Sequence, residues 1–249
     1  MSSISVSLIV FGCLSAGSAA GMLLRSIVPR HHLSPESKMS VQLGMALVST
    51  MSALVLGLLV SSAKNSYDTQ STELTVTAAN VLQLDSILAH YGPETKDVRG
   101  DLRQALQKAL ETLWTKERND RIAGSSRTSE IIFDKIQDLT PKDENQRNMK
   151  SQALTLLEGV RQMRWLQYEQ LSNSVPIPLL IILVSWLTML FVGIGLFAPA
   201  NATVIASLVV SEIAVSAAIL LILEFYSPFG GLIEVSSAPL RAALAQLGH

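Results

Sequence analysis

The residue in this sequence best placed to do chemistry is a single carboxylate. Glu212 sits in SLVVSEIAVSAAILLILEF, residues 207–225, among Val, Ile and Ala, with no Lys or Arg in the stretch. That stretch reads as membrane-spanning, and an ionised acid at bilayer depth costs about 2.5–3.5 kcal/mol on insertion scales. A partner, a water-filled cavity or a shared proton must offset the cost. Ser216 lies one helical turn on, with Ser207 and Ser211 nearby, so the acid is expected to be protonated or linked to water. As a neutral acid it would bond a neighbouring helix carbonyl and be structural. Otherwise it titrates or contacts an ion.

A second line of residues could do its work as a set. Thr50, Gly57, Ser61, Lys64 and Asp68 follow one another at steps of seven, four, three and four, so they share one face of a helix. In a ring of subunits such a face would make a small, partly polar pore wall with a charged mouth, selecting by rings of side chains and by constriction. The competing account has Thr50 and Ser61 bonding their own helix carbonyls, while Lys64 and Asp68 mark the membrane boundary. Glu224 is expected to cap, or to pair with Arg241 or Lys64, at the membrane end. Signatures of catalysis are missing. No Gly-rich phosphate loop precedes a Lys, His31 and His32 are adjacent in a loop, and His90 and His249 stand alone. Neither an enzyme nor a metal or other cofactor is expected.

The elements that carry these residues follow from how the charges are segregated. The chain has 249 residues, 49% hydrophobic and 16% charged. Of its nineteen Lys and Arg, only Arg25, Arg30, Lys38 and Arg241 lie outside residues 64–164. Within those limits acids balance bases, so no basic face points to nucleic acid. Apolar ends flanking a polar middle describe a membrane protein with one extramembrane layer. One cysteine, Cys13, in an apolar run, excludes a disulfide framework and reads as a packing residue. A basic start before that run is lacking, so the run reads as a retained helix instead of a cleaved signal.

Four apolar segments are long enough to span: 4–24, 41–63, 177–197 and 203–225. In the first, the GSAAG run and Gly12, Ala16 and Ala20 at fourth positions predict close helix packing. From Leu58 to Tyr91 there is no Gly or Pro, so the second helix is expected to continue out of the bilayer to about residue 91. Leu74, Thr77, Val81, Leu84, Leu88 and Tyr91 would form its buried face. Residues 64–175 then make a helical layer. It has a helix with Val98, Leu102, Leu106, Ala109 and Leu113 inward, and a loop at 118–130. A short helix follows near 131–139, and a last helix capped by Thr140 carries Met149, Ala153, Leu156, Val160 and Met163 in one stripe. That last helix would bring Trp165 and Tyr168 towards the membrane interface. Ser174 would cap the third span. FAPANAT, residues 197–203, turns that span tightly into the fourth. Residues 226–249 make a turn and a short amphipathic helix with Leu240, Leu244 and Leu247 on its apolar face. The fold class is all-α: four transmembrane helices with an extramembrane layer inserted between the second and third. Four spans put both ends and the layer on one side. Arg25, Arg30 and Lys38 balance Lys64, Arg161, Arg164 and Arg241, so the charge rule leaves that side open, and the uncharged N-terminal tail leans towards an outer layer.

Three stretches together carry a resemblance. LGLLVSSAKNSYDTQSTE ends the second span, GLFAPANAT joins the last two, and ILEFYSPFGGLIEVSSAPLRAAL closes the chain. They resemble the bacterial bestrophin-like family of integral membrane proteins along nearly the whole length. The most specific motif is the last, with Glu224, Pro228, Phe229 and Gly231. The family is named for its likeness to bestrophins, pentameric anion channels whose second span lines the pore. The resemblance therefore implies a multi-pass protein of the bacterial inner membrane with its helical layer in the cytoplasm. It further implies a homo-oligomer, a pentamer by this resemblance alone, which passes ions along the second span. That span contains no Phe, Tyr or Trp, so the aromatic neck of a bestrophin pore has no counterpart. The alternatives are a non-conducting scaffold or sensor whose layer binds a partner, and a proton-coupled transporter that uses Glu212.

Overall fold

The computed structural model describes residues 2–29, 34–114, 123–172, 176–199 and 201–247, except for the side chains of 123–127 and 164–172. Arg30, His31, His32, Ser174 and His249, and the side chains of Arg164, Trp165 and Tyr168, fall outside this set. Eight α-helices run in order: α1 Ser3–Ile27, α2 Pro35–Tyr91, α3 Lys96–Leu113, α4 Ala123–Gln137, α5 Glu144–Ser172, α6 Ile177–Phe197, α7 Ala202–Phe225 and α8 Ala238–Gln246. No strand occurs among the described residues, so the fold is all-α as expected. α1, α2, α6 and α7 are long and apolar enough to cross a membrane. The chain divides into two compact units, Met1–Ser66 with Ser174–Tyr226, and Tyr67–Asn173 with Ser227–His249.

The first unit holds the apolar helices. Its packing rests on glycines, though not at the fourth positions from Gly12. Gly17, Gly21 and Gly195 are buried. A Cβ added at Gly21 would overlap the backbone carbonyl of Val192, one at Gly195 would overlap the carbonyl of Ser18, and one at Gly17 would press on Thr188 at 3.0 Å. Bare backbones of α1 and α6 thus meet directly, and small residues permit such an approach in lipid. Gly12, by contrast, is exposed with nothing within 4 Å of its would-be Cβ, and Ala16 is exposed too. The seam is therefore displaced onto the Gly17–Gly21 face, because that is the face on which Val10 and Leu14 are also buried. The α6–α7 turn is pinned twice: Asn201 Oδ1 accepts from Val204 N at 2.9 Å, and the Arg25 guanidinium donates to the carbonyl of Ala198 at the end of α6. A cation at a helix C-terminus is favoured by the helix dipole.

The second unit has one apolar core. Leu74, Ala78, Val81, Leu84 and Leu88 of α2 pack with Val98, Leu102 and Leu106 of α3, Ile132 and Ile136 of α4, and Ala153 and Leu157 of α5. α2 ends at Tyr91 because Gly92 turns to φ 139°, a conformation side chains disfavour. Arg99 holds Asp85 through a paired contact of 2.7 and 2.9 Å. Two local expectations need correction. α4 begins at Ala123, so the second half of the expected 118–130 loop is helical. Ile131, Ile132, Phe133 and Ile136 extend a helical apolar pattern forward, and no Pro interrupts it. α5 is capped by Asp143 and not Thr140. Asp143 Oδ1 accepts from Gln146 N at 2.7 Å, and the Gln146 side chain reaches back to Lys142 N at 2.8 Å. A carboxylate three residues ahead of the first free N–H groups outcompetes a hydroxyl placed farther out. The closing helix buries Leu240, Ala243 and Leu247 in this same core, with Leu244 half-buried.

The glycine packing predicts unequal costs for one substitution at two glycines of α1. Gly21→Val should lower the thermal midpoint of the detergent-solubilised protein strongly, by an overpacking cost of about 1–3 kcal/mol or more. Gly12→Val should leave it nearly unchanged. Thermal unfolding followed by size-exclusion chromatography measures both.

Candidate functional site

Two groups of residues qualify, both on the apolar helices. The first is built around Glu212, at the middle of α7. Its side chain is 1% exposed. Both carboxyl oxygens are occupied by hydroxyls from α1: Ser15 Oγ lies 2.7 Å from Oε2, and Ser18 Oγ lies 2.7 Å from Oε1. A second polar link joins the same two helices, where Ser7 Oγ donates to the main-chain carbonyl of Ser216 at 2.8 Å. Ser7, Leu14 and Ser18 are all on the buried side of α1, so the hydroxyls follow from helical register. A helix carbonyl was one of the partners expected for Glu212, beside water and an ion. The structure supplies two serine side chains instead, which sequence reasoning missed. Ser15 and Ser18, three apart in an apolar span, were the available signal. Ser216, the residue expected beside the acid, keeps its buried hydroxyl without a hydrogen-bond partner. Ser211 is exposed and donates to the carbonyl of Ser207 on its own helix at 2.9 Å. Among the described residues, no cluster of His, Cys, Asp and Glu is arranged to hold a metal.

The second group is the line on α2. Thr50, Gly57, Ser61, Lys64 and Asp68 are all exposed. Thr50 Oγ1 bonds the carbonyl of Ala46 at 2.9 Å, so its polarity is spent within its own helix. Nothing lies within 4 Å of a Cβ built at Gly57. Leu43 and Leu47 precede Thr50, Leu54 lies between Thr50 and Gly57, and together they complete steps of four and three from 43 to 64; they are 66%, 67% and 65% exposed. These leucines were legible in the spacing but were passed over as ordinary span residues. The opposite side of α2 is the packed one: Leu59 and Ala63 join Leu183 and Ile222 in a core, and Met45 presses on Gly193. Only 11% of the most apolar stretch of α2 is buried, against 22–33% in the other three helices. Among spans of one bundle, α2 is the least covered.

The third set, the closing motif, is structural in its surroundings. Phe229 is buried edge-on to Trp114 with ring centroids 5.7 Å apart, and Trp114 Nε1 donates to the carbonyl of Val235 at 3.1 Å. Val235 N in turn donates to the carbonyl of Pro228 at 2.8 Å, closing a tight loop around half-buried Gly231. Glu224 is buried near the end of α7.

The sequence model described as Bestrophin-like domain matches residues 12–240. The chain belongs to the bestrophin-like family. That match takes in most of α1, the other three spans, the inserted layer and the start of the closing helix. A solved structure titled "Crystal structure of a membrane protein L259A" shares the fold of this bestrophin-like chain, with a TM-score of 0.60 at 15% identity over 94% of each chain. No curated protein matches it. An acid within a spanning helix faces protein or water and takes polar partners there, and the α1 hydroxyls supply them for Glu212 of this bestrophin-like chain.

Glu212→Ala should leave the hydroxyls of Ser15 and Ser18 without their carboxyl partner. At about 0.6 kcal/mol per interhelical bond in membranes, and up to about 1.7, the expected loss is about 1–3 kcal/mol in thermal or denaturant unfolding. Ser216→Ala removes a hydroxyl that bonds nothing, so stability should hold or rise slightly.

Proposed function

We propose that this bestrophin-like protein assembles as a homo-oligomer in the membrane, with the exposed line of α2 lining a path for ions or small solutes. The observation that carries this reading is the bareness of one face of α2, from Leu43 to Lys64, in a subunit whose other spans are better covered. That face is not apolar throughout. It ends in Lys64 with Asp68 one turn on, and carries Ser61 and a glycine that no neighbour within the subunit requires. A hydrophobic stretch at Leu43, Leu47 and Leu54 leading to small and then charged positions is the order a constricted path with a charged end would have. Closed rings of identical subunits supply the symmetry a central path needs. By family likeness the setting is the bacterial inner membrane with the helical layer in the cytoplasm, and five is the subunit number that the likeness favours.

The test combines assembly with flux. Protein in nanodiscs should give a single ring-sized mass, and liposomes containing it should pass ions. Gly57→Leu should keep fold and assembly, since its Cβ meets nothing within the subunit, yet cut flux at least several-fold. A monomer without flux, or a Gly57→Leu ring that conducts like the parent, would overturn the reading.

A further inference from the structure

The hydrogen count around Glu212 leads beyond any role for α2. Three close approaches link three residues: Ser15 Oγ to Glu212 Oε2 at 2.7 Å, Ser18 Oγ to Glu212 Oε1 at 2.7 Å, and Ser18 Oγ to the main-chain carbonyl of Ser15 at 3.0 Å. A serine hydroxyl owns one hydrogen, while a carbonyl and an ionised carboxylate only accept. With Glu212 ionised, Ser18 faces two acceptors and can serve one. If it served the carboxylate, two oxygens would sit 3.0 Å apart with no hydrogen between them. A proton on Oε1 resolves the count. Glu212 then donates to Ser18 Oγ, Ser18 donates to the Ser15 carbonyl, and Ser15 Oγ donates to Oε2. Each hydrogen has one acceptor, and the ring closes.

Among the described residues, no positive charge stands by to favour the ionised form. α1 carries one charged residue, Arg25, ten residues from Ser15 or about 15 Å along the helix, and its guanidinium is bonded at Ala198. α6 has no ionisable side chain, and α7 has only Glu224, twelve residues on. The membrane stretch of α2 from 41 to 63 has none, and Cys13 on α1 is exposed. We propose that Glu212 is an intramembrane proton-binding site, its carboxyl kept as the neutral acid by the hydroxyls of Ser15 and Ser18. The ligand is a proton, and the bound form joins α1 to α7 without placing a charge in the lipid. The inference is independent of what passes along α2.

Infrared difference spectroscopy on the full chain in nanodiscs at neutral pH tests it. Glu212→Gln preserves the ring, because the amide donates to Ser18 and its oxygen accepts from Ser15. The parent minus Glu212→Gln spectrum should show a carboxylic-acid carbonyl band that shifts down on deuteration. Ser15→Ala, which removes the donor to Oε2, should move that band up. A difference spectrum with carboxylate bands and no acid band overturns the proposal. Should Glu212→Gln not assemble, glutamate-labelled parent protein compared with Ser15→Ala decides. An isotope-shifted acid band that moves in the variant supports the site, and no acid band, or one that stays put, overturns it.

Discussion

A serine hydroxyl reaches only one bond beyond Cβ, so two serines can hold an acid on another helix only if the helices lie very close. That constraint governs the apolar unit. Ser15 and Ser18 meet Glu212 at 2.7 Å, and the helix that carries them is pressed against α6 through Gly17, Gly21 and Gly195. Substituting any longer polar side chain would relax the distance requirement and bring more ordering entropy to lose. With hydroxyls, the tolerance is small. The polar link to α7 and the bare-backbone seam with α6 thus hold α1 from two sides.

Much of this was legible in sequence. Span limits followed from lengths of apolar residues, and α6 falls on 177–197 as expected. The unbroken run to Tyr91 gave α2 its length, since only Gly92 and Pro93 could end it. What periodicity could not supply was pairing between helices. Gly12 and Gly17 look alike in a sequence, and only packing decides which faces a neighbour. The same limit hid Ser15 and Ser18, because 197 and 194 residues separate them from Glu212. Asp143 displaced Thr140 as the α5 cap for a local reason: the stronger acceptor lay nearer the first free N–H groups.

The two halves of α2 differ in what covers them. Beyond the membrane stretch, Leu74, Val81, Leu84 and Leu88 are buried at 3% exposure or less, and the register that buries them is satisfied inside one subunit. Within the membrane stretch, half the circumference is left to lipid or to another chain. One helix thus has a packed half and a bare half, and the alternation of four and three from 43 to 64 marks the bare face.

The core of the second unit draws Phe229, Val235, Leu240, Ala243 and Leu247 from the far side of two spanning helices. While the ribosome is still making α6 and α7, the layer begun by α3, α4 and α5 lacks these five side chains. Its completion must await translation through residue 247, so the layer matures only after both of those spans have been synthesised.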